Sequence, residues 1–290
     1  PAVKNLLVLM LPGVIGAGVV QLNLVVDMVI ASLLPGGSVS HLYYADRIVQ
    51  LPLGVIGVAI GTALLPTLSR QVAEKQTDDA LNSQNRAIEY ALLLTLPAAA
   101  ALGVIAVPIV HVLFERGVFD ANATTITAGV LAAYGVGLPA FVLIKAFAPG
   151  YFARKDTRTP VRAAVWALIA NVVLNLAFMK PFGVVGIALA SALSSWLNAA
   201  LLAKGLYGCG YFRPDRLLRR RVPRMIIASV VMMVLLLAFS KVLAPWLEGG
   251  LGLRVAALFG LVLVGLCSFA AAATVSGAMC WRDLKVILTR

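Results

Sequence analysis

Charge is scarce in this chain, and acid is scarcer than base. Only 12% of the 290 residues are charged, with 12 Asp and Glu against 24 Lys and Arg. Soluble domains carry about 25% charge, so the sequence cannot dress a solvated surface of ordinary kind. Histidine is almost absent: His41 and His111 stand alone, which excludes a histidine-built metal centre and leaves each with an interfacial role. Of the three cysteines, Cys209 and Cys280 lie in basic stretches and Cys267 in an apolar run, so no pair suits an oxidising compartment. There is no glycine-rich phosphate loop. Clustered acids or histidines, which a membrane enzyme acting on polyprenyl phosphates requires, are missing as well. The connections on one side offer only Glu115, Arg116, Asp120, Lys180 and Glu248, widely spaced. We expect no enzyme.

What the chain has is apolar length. It is 61% hydrophobic, with a mean hydropathy of +0.96. About 20 apolar residues cross a bilayer, and eight stretches reach that length: roughly 6–34, 41–67, 87–114, 123–152, 160–179, 184–207, 223–244 and 252–278. Two-residue alternation of a membrane barrel is absent. The fold class is therefore all-α integral membrane, a polytopic bundle of about eight helices. Basic residues divide unevenly between alternate connections. Eighteen of the 24 fall on the side of Lys75, Arg154, Arg221 and both termini, and four on the other (Arg116, Lys180, Lys241, Arg254). Positive connections stay cytoplasmic, so both ends are expected inside. The charge thus marks topology and, around 216–224, anionic membrane lipid rather than nucleic acid.

The longest inner connections set the expected divisions. Residues 68–86 read as an amphipathic segment at the membrane surface. Residues 208–222 read as a basic cytoplasmic linker between a six-helix lobe, 1–207, and an appended helix pair with a cytoplasmic tail, 223–290. The first residue is Pro1, with no Met and no signal peptide, and we expect a piece of something longer.

Ionisable groups inside hydrocarbon cost roughly 2.5–3.5 kcal/mol each and are functional candidates. Asp27, Asp46, Arg47 and Lys145 stand out. Arg47 and Lys145 lie close enough to span ends to snorkel instead. Around Arg47, in HLYYADRIVQLP, Tyr43 and Tyr44 precede it on adjoining faces and Gln50 follows one turn later. A guanidinium facing a wet cavity suits phosphate. Asn171 and Asn175 share a face at i, i+4, and Ser191, Ser194 and Ser195 follow in the next run. With Asp27 they have two readings: an oxygen cage for a small hard cation, or hydrogen bonding between helices.

Three segments carry a resemblance: YYADRIVQLPLGVIGVAIGTALLPTLSR at 43–70, LFERGVFD at 113–120 and KAFAPGYFARKDTRTPV at 145–161. On these the chain resembles the MurJ/MviN lipid II flippases of the multidrug/oligosaccharidyl-lipid/polysaccharide exporter superfamily, over about residues 1–290. The resemblance implies fourteen helices in two six-helix lobes plus two more, with this chain matching the last eight and lacking the N-terminal lobe. It implies no covalent chemistry but flipping of undecaprenyl-diphosphate-linked precursor (lipid II) by alternating access in the bacterial inner membrane. Substrate contacts are then expected at Arg47, with Tyr43, Tyr44, Asp46, Gln50 and Lys145. A Na+ site is implied at Asp27, Asn171, Asn175, Ile187 (through its carbonyl) and Ser191, with no other cofactor. Gln50 and Asn175 depart from acidic residues that the family can carry there. The last two helices are implied to help form a groove for the polyprenyl tail. Other readings are a related polysaccharide-lipid flippase, a cation-coupled drug antiporter, a polyprenyl-phosphate enzyme or a membrane scaffold.

Overall fold

The structure, a computed structural model, describes Gly18 and residues 21–278. Among these it is helical throughout, without strands. After α1 (Gln21–Ala31) come α2 (Ser38–Ala73), α3 (Thr77–Val104), α4 (Ala106–Phe114), α5 (Ala121–Phe152), α6 (Arg158–Gly208), α7 (Arg216–Val242), α8 (Ala244–Leu247) and α9 (Leu251–Val275). Six of these, α2, α3, α5, α6, α7 and α9, are long and apolar enough to cross a membrane.

One of the six counts twice. A straight helix of the 51 residues in α6 would run for about 75 Å. Instead Gly183 has φ 57°, ψ −135°, a conformation open only to glycine, and the chain turns back there. Asn171 and Ser191, twenty positions apart, are thereby within hydrogen-bonding distance at 3.2 Å. The arms press so closely that a Cβ on Gly186 would stand 2.4 Å from the Phe178 carbonyl oxygen. The reversal supplies the expected fifth and sixth spans. The expected first span is seen only from α1, its earlier part lying outside the described residues, as do Lys4, Cys280 and the tail beyond 278.

Two expected connections are corrected. Residues 68–86 are not a separate surface segment: α2 continues to Ala73 and α3 begins at Thr77, joined by a tight turn with Lys75 at φ 58°. Residues 208–222 are not all linker, because α7 already starts at Arg216, where the Asp215 carboxylate accepts from the Leu218 N–H at 2.7 Å. The connection narrows to 209–215. The expected third span, 87–114, is broken at Ile105. Pro108 explains the break, since it cannot donate back to Val104 four residues earlier.

Helix α5 is central. In its most apolar stretch 67% of residues are buried, against 39% or fewer in the other five long helices. It packs on α2, α3, α4 and α6. The α7–α9 pair docks on α3, and one apolar cluster runs from Leu92 and Leu93 through Met225, Met232 and Leu236 to Leu261 and Phe269. At the end of the bundle carrying Lys75 and Arg213, the basic end, ion pairs fasten this docking: Glu89 lies between Arg86 and Arg221, and Arg86 also reaches Asp215.

Candidate functional site

Four of the five residues expected to hold a cation form a closed ring of hydrogen bonds. The Asn175 amide donates to Asp27 Oδ1 at 2.7 Å and to Asn171 Oδ1 at 3.0 Å. The Asn171 amide donates to Ser191 Oγ at 3.2 Å, and Ser191 Oγ donates to Asp27 Oδ2 at 2.6 Å. The i, i+4 spacing puts both asparagines on one face of the first arm of α6, and the Gly183 turn brings Ser191 back beside them. All four are at most 5% exposed. Hydrogen bonding between helices is thus fully expressed here. Ile187, fully buried one turn before Ser191, contributes no side-chain polar group. Among the described residues no Lys or Arg pairs with Asp27, and Asn175 Oδ1 is buried with nothing to bond. A carboxylate without a basic partner and an orphaned buried acceptor beside it fit a small cation.

A second group lines one face of α2. Gln50 donates to Asp46 Oδ2 at 2.5 Å and accepts from Arg47 Nη1 at 3.2 Å. The Arg47 guanidinium also stands 4.6 Å from the centroid of the exposed Tyr43 ring. Arg47 is exposed, and among the described residues no carboxylate lies in salt-bridge range of it. Tyr44 departs from expectation. It is half-buried and packs into an aromatic knot with Phe114, 4.8 Å away, and Phe119, 5.5 Å away, which holds α2 to the 115–120 turn.

Between these groups lies a cavity of about 560 Å³. Asp27 and Ser191 line it from one side, Asp46 and Gln50 from another, and Lys145 reaches in from α5. The Lys145 stem lies against α2 at Gly57, where a Cβ would stand 2.7 Å from Lys145 Cδ. Arg47 and Tyr43 are not in the lining; they stand beside it, joined to it through Gln50. Sequence reasoning missed Asn23, Tyr134 and Asn198, which also line the cavity. Asn23 was findable, one turn before Asp27 on the same face. Asn198 was findable in the same way, one turn after Ser194, whereas Tyr134 carried no signal, being an uncharged residue in an apolar run.

A model of the lipid II flippase MurJ family matches residues 1–280. The chain belongs to that family. It is 46% identical over 281 residues to a probable lipid II flippase MurJ of Rhizobium meliloti, covering 96% of this chain and 52% of that protein. With its counterpart in Vibrio cholerae it shares 39% over 285 residues, 98% of this chain and 54% of the other. The chain therefore spans about half the length of these relatives. Its fold is also that of a lipid II flippase MurJ in an inward closed conformation, with a TM-score of 0.77 at 24% identity over 99% of this chain and 56% of that one. An outward-facing multidrug resistance MATE family transporter is similar at a TM-score of 0.59 and 20% identity, over 93% and 63%.

Besides the polar cavity, this MurJ-family chain has an apolar one. A groove of about 320 Å³ runs between α3 and the α7–α9 pair, floored by Leu93, Pro97, Ile105, Leu236, Leu261 and Phe269. Its walls hold no charged residue, which separates it chemically from the first cavity.

Proposed function

We propose that this chain serves, together with a first lobe it does not contain, to move a lipid-linked peptidoglycan precursor across the bacterial inner membrane. Its relatives of twice the length are named as lipid II flippases. The observation that carries the reading is the pairing of a charged cavity with a separate apolar groove on one bundle, which matches a substrate with a diphosphate head and a polyprenyl tail. In this reading Arg47, with Gln50 and Tyr43, grips the diphosphate from the cavity rim, and Lys145 adds a point charge within it. Asp46 holds Gln50 in place. The head group moves by alternating access, the lobes rocking about the cavity while the tail stays in the groove. Asp27, Asn171, Asn175 and Ser191 would hold a sodium ion, which would supply a gradient as driving force. The uneven basic charge supports placing both ends of the chain in the cytoplasm.

The test is reconstitution of the longer protein in vesicles containing fluorescent lipid II. The reading predicts that the label becomes reachable from the outer leaflet, and that Lys145→Ala slows this. Vesicles that translocate no label with the unsubstituted protein would overturn it.

A further inference from the structure

The α7–α9 pair is tied to the bundle beyond both ends of the apolar groove, and the two ties differ in kind. At the basic end it is held by Arg86, Arg221, Glu89 and Asp215, and arginine keeps its charge at every accessible pH. At the opposite end the tie is a histidine. His111 of α4 stands six residues past Ile105 in the groove wall. Its Nδ1 lies 2.8 Å from Glu115 Oε2, and its Nε2 lies 3.1 Å from the carbonyl oxygen of Leu247 in α8, the turn between α7 and α9.

Both partners are acceptors. A carbonyl oxygen has no proton to give. Glu115 has none either: Thr124 Oγ1 donates to the same carboxylate at 2.6 Å, and this bond, with the one from His111, holds the acid below the usual carboxylate range. A neutral imidazole has one N–H and one lone pair. It can donate to Glu115 or to Leu247, and its other nitrogen then turns a lone pair toward an oxygen. Only the imidazolium donates to both.

The other charged groups on the packed elements are engaged elsewhere. Arg116 bonds the Leu113 carbonyl at 2.7 Å, and Asp120 caps α5 through the Ala123 N–H at 2.8 Å. Arg254 of α9 bonds the Gly249 carbonyl at 2.9 Å and adds favourable charge near Glu115. Glu248 is exposed. Among the described residues none of these meets a ring nitrogen of His111.

We propose that His111 is a proton-operated clasp between α4 and the α7–α9 turn: doubly protonated, it holds that end of the apolar groove shut, and neutral, it releases one of its two holds and lets the end open. The clasp therefore closes when His111 takes up its second proton and loosens when it gives that proton up. For the longer protein this regulates when an apolar chain can leave the groove; that consequence rests on the proposed function, whereas the clasp itself does not.

The test places nitroxide labels at Leu113→Cys and Trp246→Cys, both exposed positions, in the longer protein with its native cysteines replaced. Distances are read by pulsed electron paramagnetic resonance in lipid, without substrate, at about pH 5.5 and about pH 8. The short-distance population should dominate in acid and shrink several-fold at the higher pH. Glu115→Gln should keep it at both pH values, because an amide can donate to Nδ1 while Nε2–H serves Leu247. His111→Ala should lose it at both. Identical distributions at the two pH values in the unsubstituted clasp, or a pH shift that survives in either variant, would overturn the proposal. Since no substrate is present, either result leaves the flippase reading to its own assay.

Discussion

Asn175 Nδ2 lies 2.7 Å from Asp27 Oδ1, joining α1 to the first arm of α6 across 148 positions of sequence. Both side chains are at most 5% exposed, so a bond lost here leaves a buried polar group short of a partner. The bond fixes where α1 enters the bundle and leaves Asn175 Oδ1, on the same amide, as a buried acceptor with no donor.

If sodium occupies this ring, it should stabilise the longer protein. At a concentration 100 times its Kd a ligand adds about 2.7 kcal/mol, a visible rise in melting temperature in detergent when sodium replaces choline. Asp27→Asn keeps the shape and removes the charge, and should abolish the rise. A melting curve indifferent to sodium in the unsubstituted protein refutes the cation reading and leaves only the hydrogen-bond ring.

Gly183 makes α6 a hairpin, and it does so with a backbone that other residues adopt only under strain. Gly183→Ala should cost about 1–3 kcal/mol and lower the melting temperature. Gly186→Val should cost more, since its Cβ meets the Phe178 carbonyl at 2.4 Å and backbone cannot step aside. Equal stability of both variants to the unsubstituted protein would show that the turn is held by something other than these two glycines.

Much of this was legible in the sequence, and the exceptions have physical causes. Apolar length predicts helices well because hydrocarbon leaves the backbone no other partner. It predicts their ends poorly. The helical stretches 68–73 and 77–86 are polar, yet they continue α2 and α3 because a helix outlasts the bilayer wherever its own hydrogen bonds persist. Asp215 was readable as a cap, three residues before Leu218, so the start of α7 at Arg216 was available and was obscured by the density of arginine. Pro108 was equally visible as the break between α3 and α4. The Asp27, Asn171, Asn175 and Ser191 convergence was legible from spacing plus resemblance. The packing of Tyr44 against Phe114 and Phe119 was not, since a helix face says nothing of which distant turn will cover it.

Asp156 closes the turn between α5 and α6. Its carboxylate accepts from the Arg158 and Thr159 N–H groups at 3.1 and 3.0 Å and from the Thr159 hydroxyl at 2.6 Å. Burial alone would raise its pKa, but these bonds and the Arg162 charge outweigh it and hold it below the ordinary value. A depressed carboxylate stabilises above its unfolded pKa and loses that contribution as pH falls through the folded value. Asp156→Ala should therefore cost about 0.5–2 kcal/mol at neutral pH and next to nothing in strong acid. A thermal-melt deficit that persists undiminished in acid contradicts this assignment.

Arg47 carries the central claim. It is exposed beside the cavity, held by Gln50 and the Tyr43 ring, and among the described residues it forms no salt bridge. Bonds to a charged group contribute about 1.5–3 kcal/mol each, so losing a paired grip on diphosphate should slow transport about a hundredfold or more. The deciding measurement is the translocation rate of fluorescent lipid II by the longer protein in vesicles, with Arg47→Ala and Arg47→Lys compared at equal protein content. The account predicts near-complete loss for alanine and partial recovery for lysine, which keeps the charge but not the planar fork. Translocation by Arg47→Ala at the unsubstituted rate would contradict it.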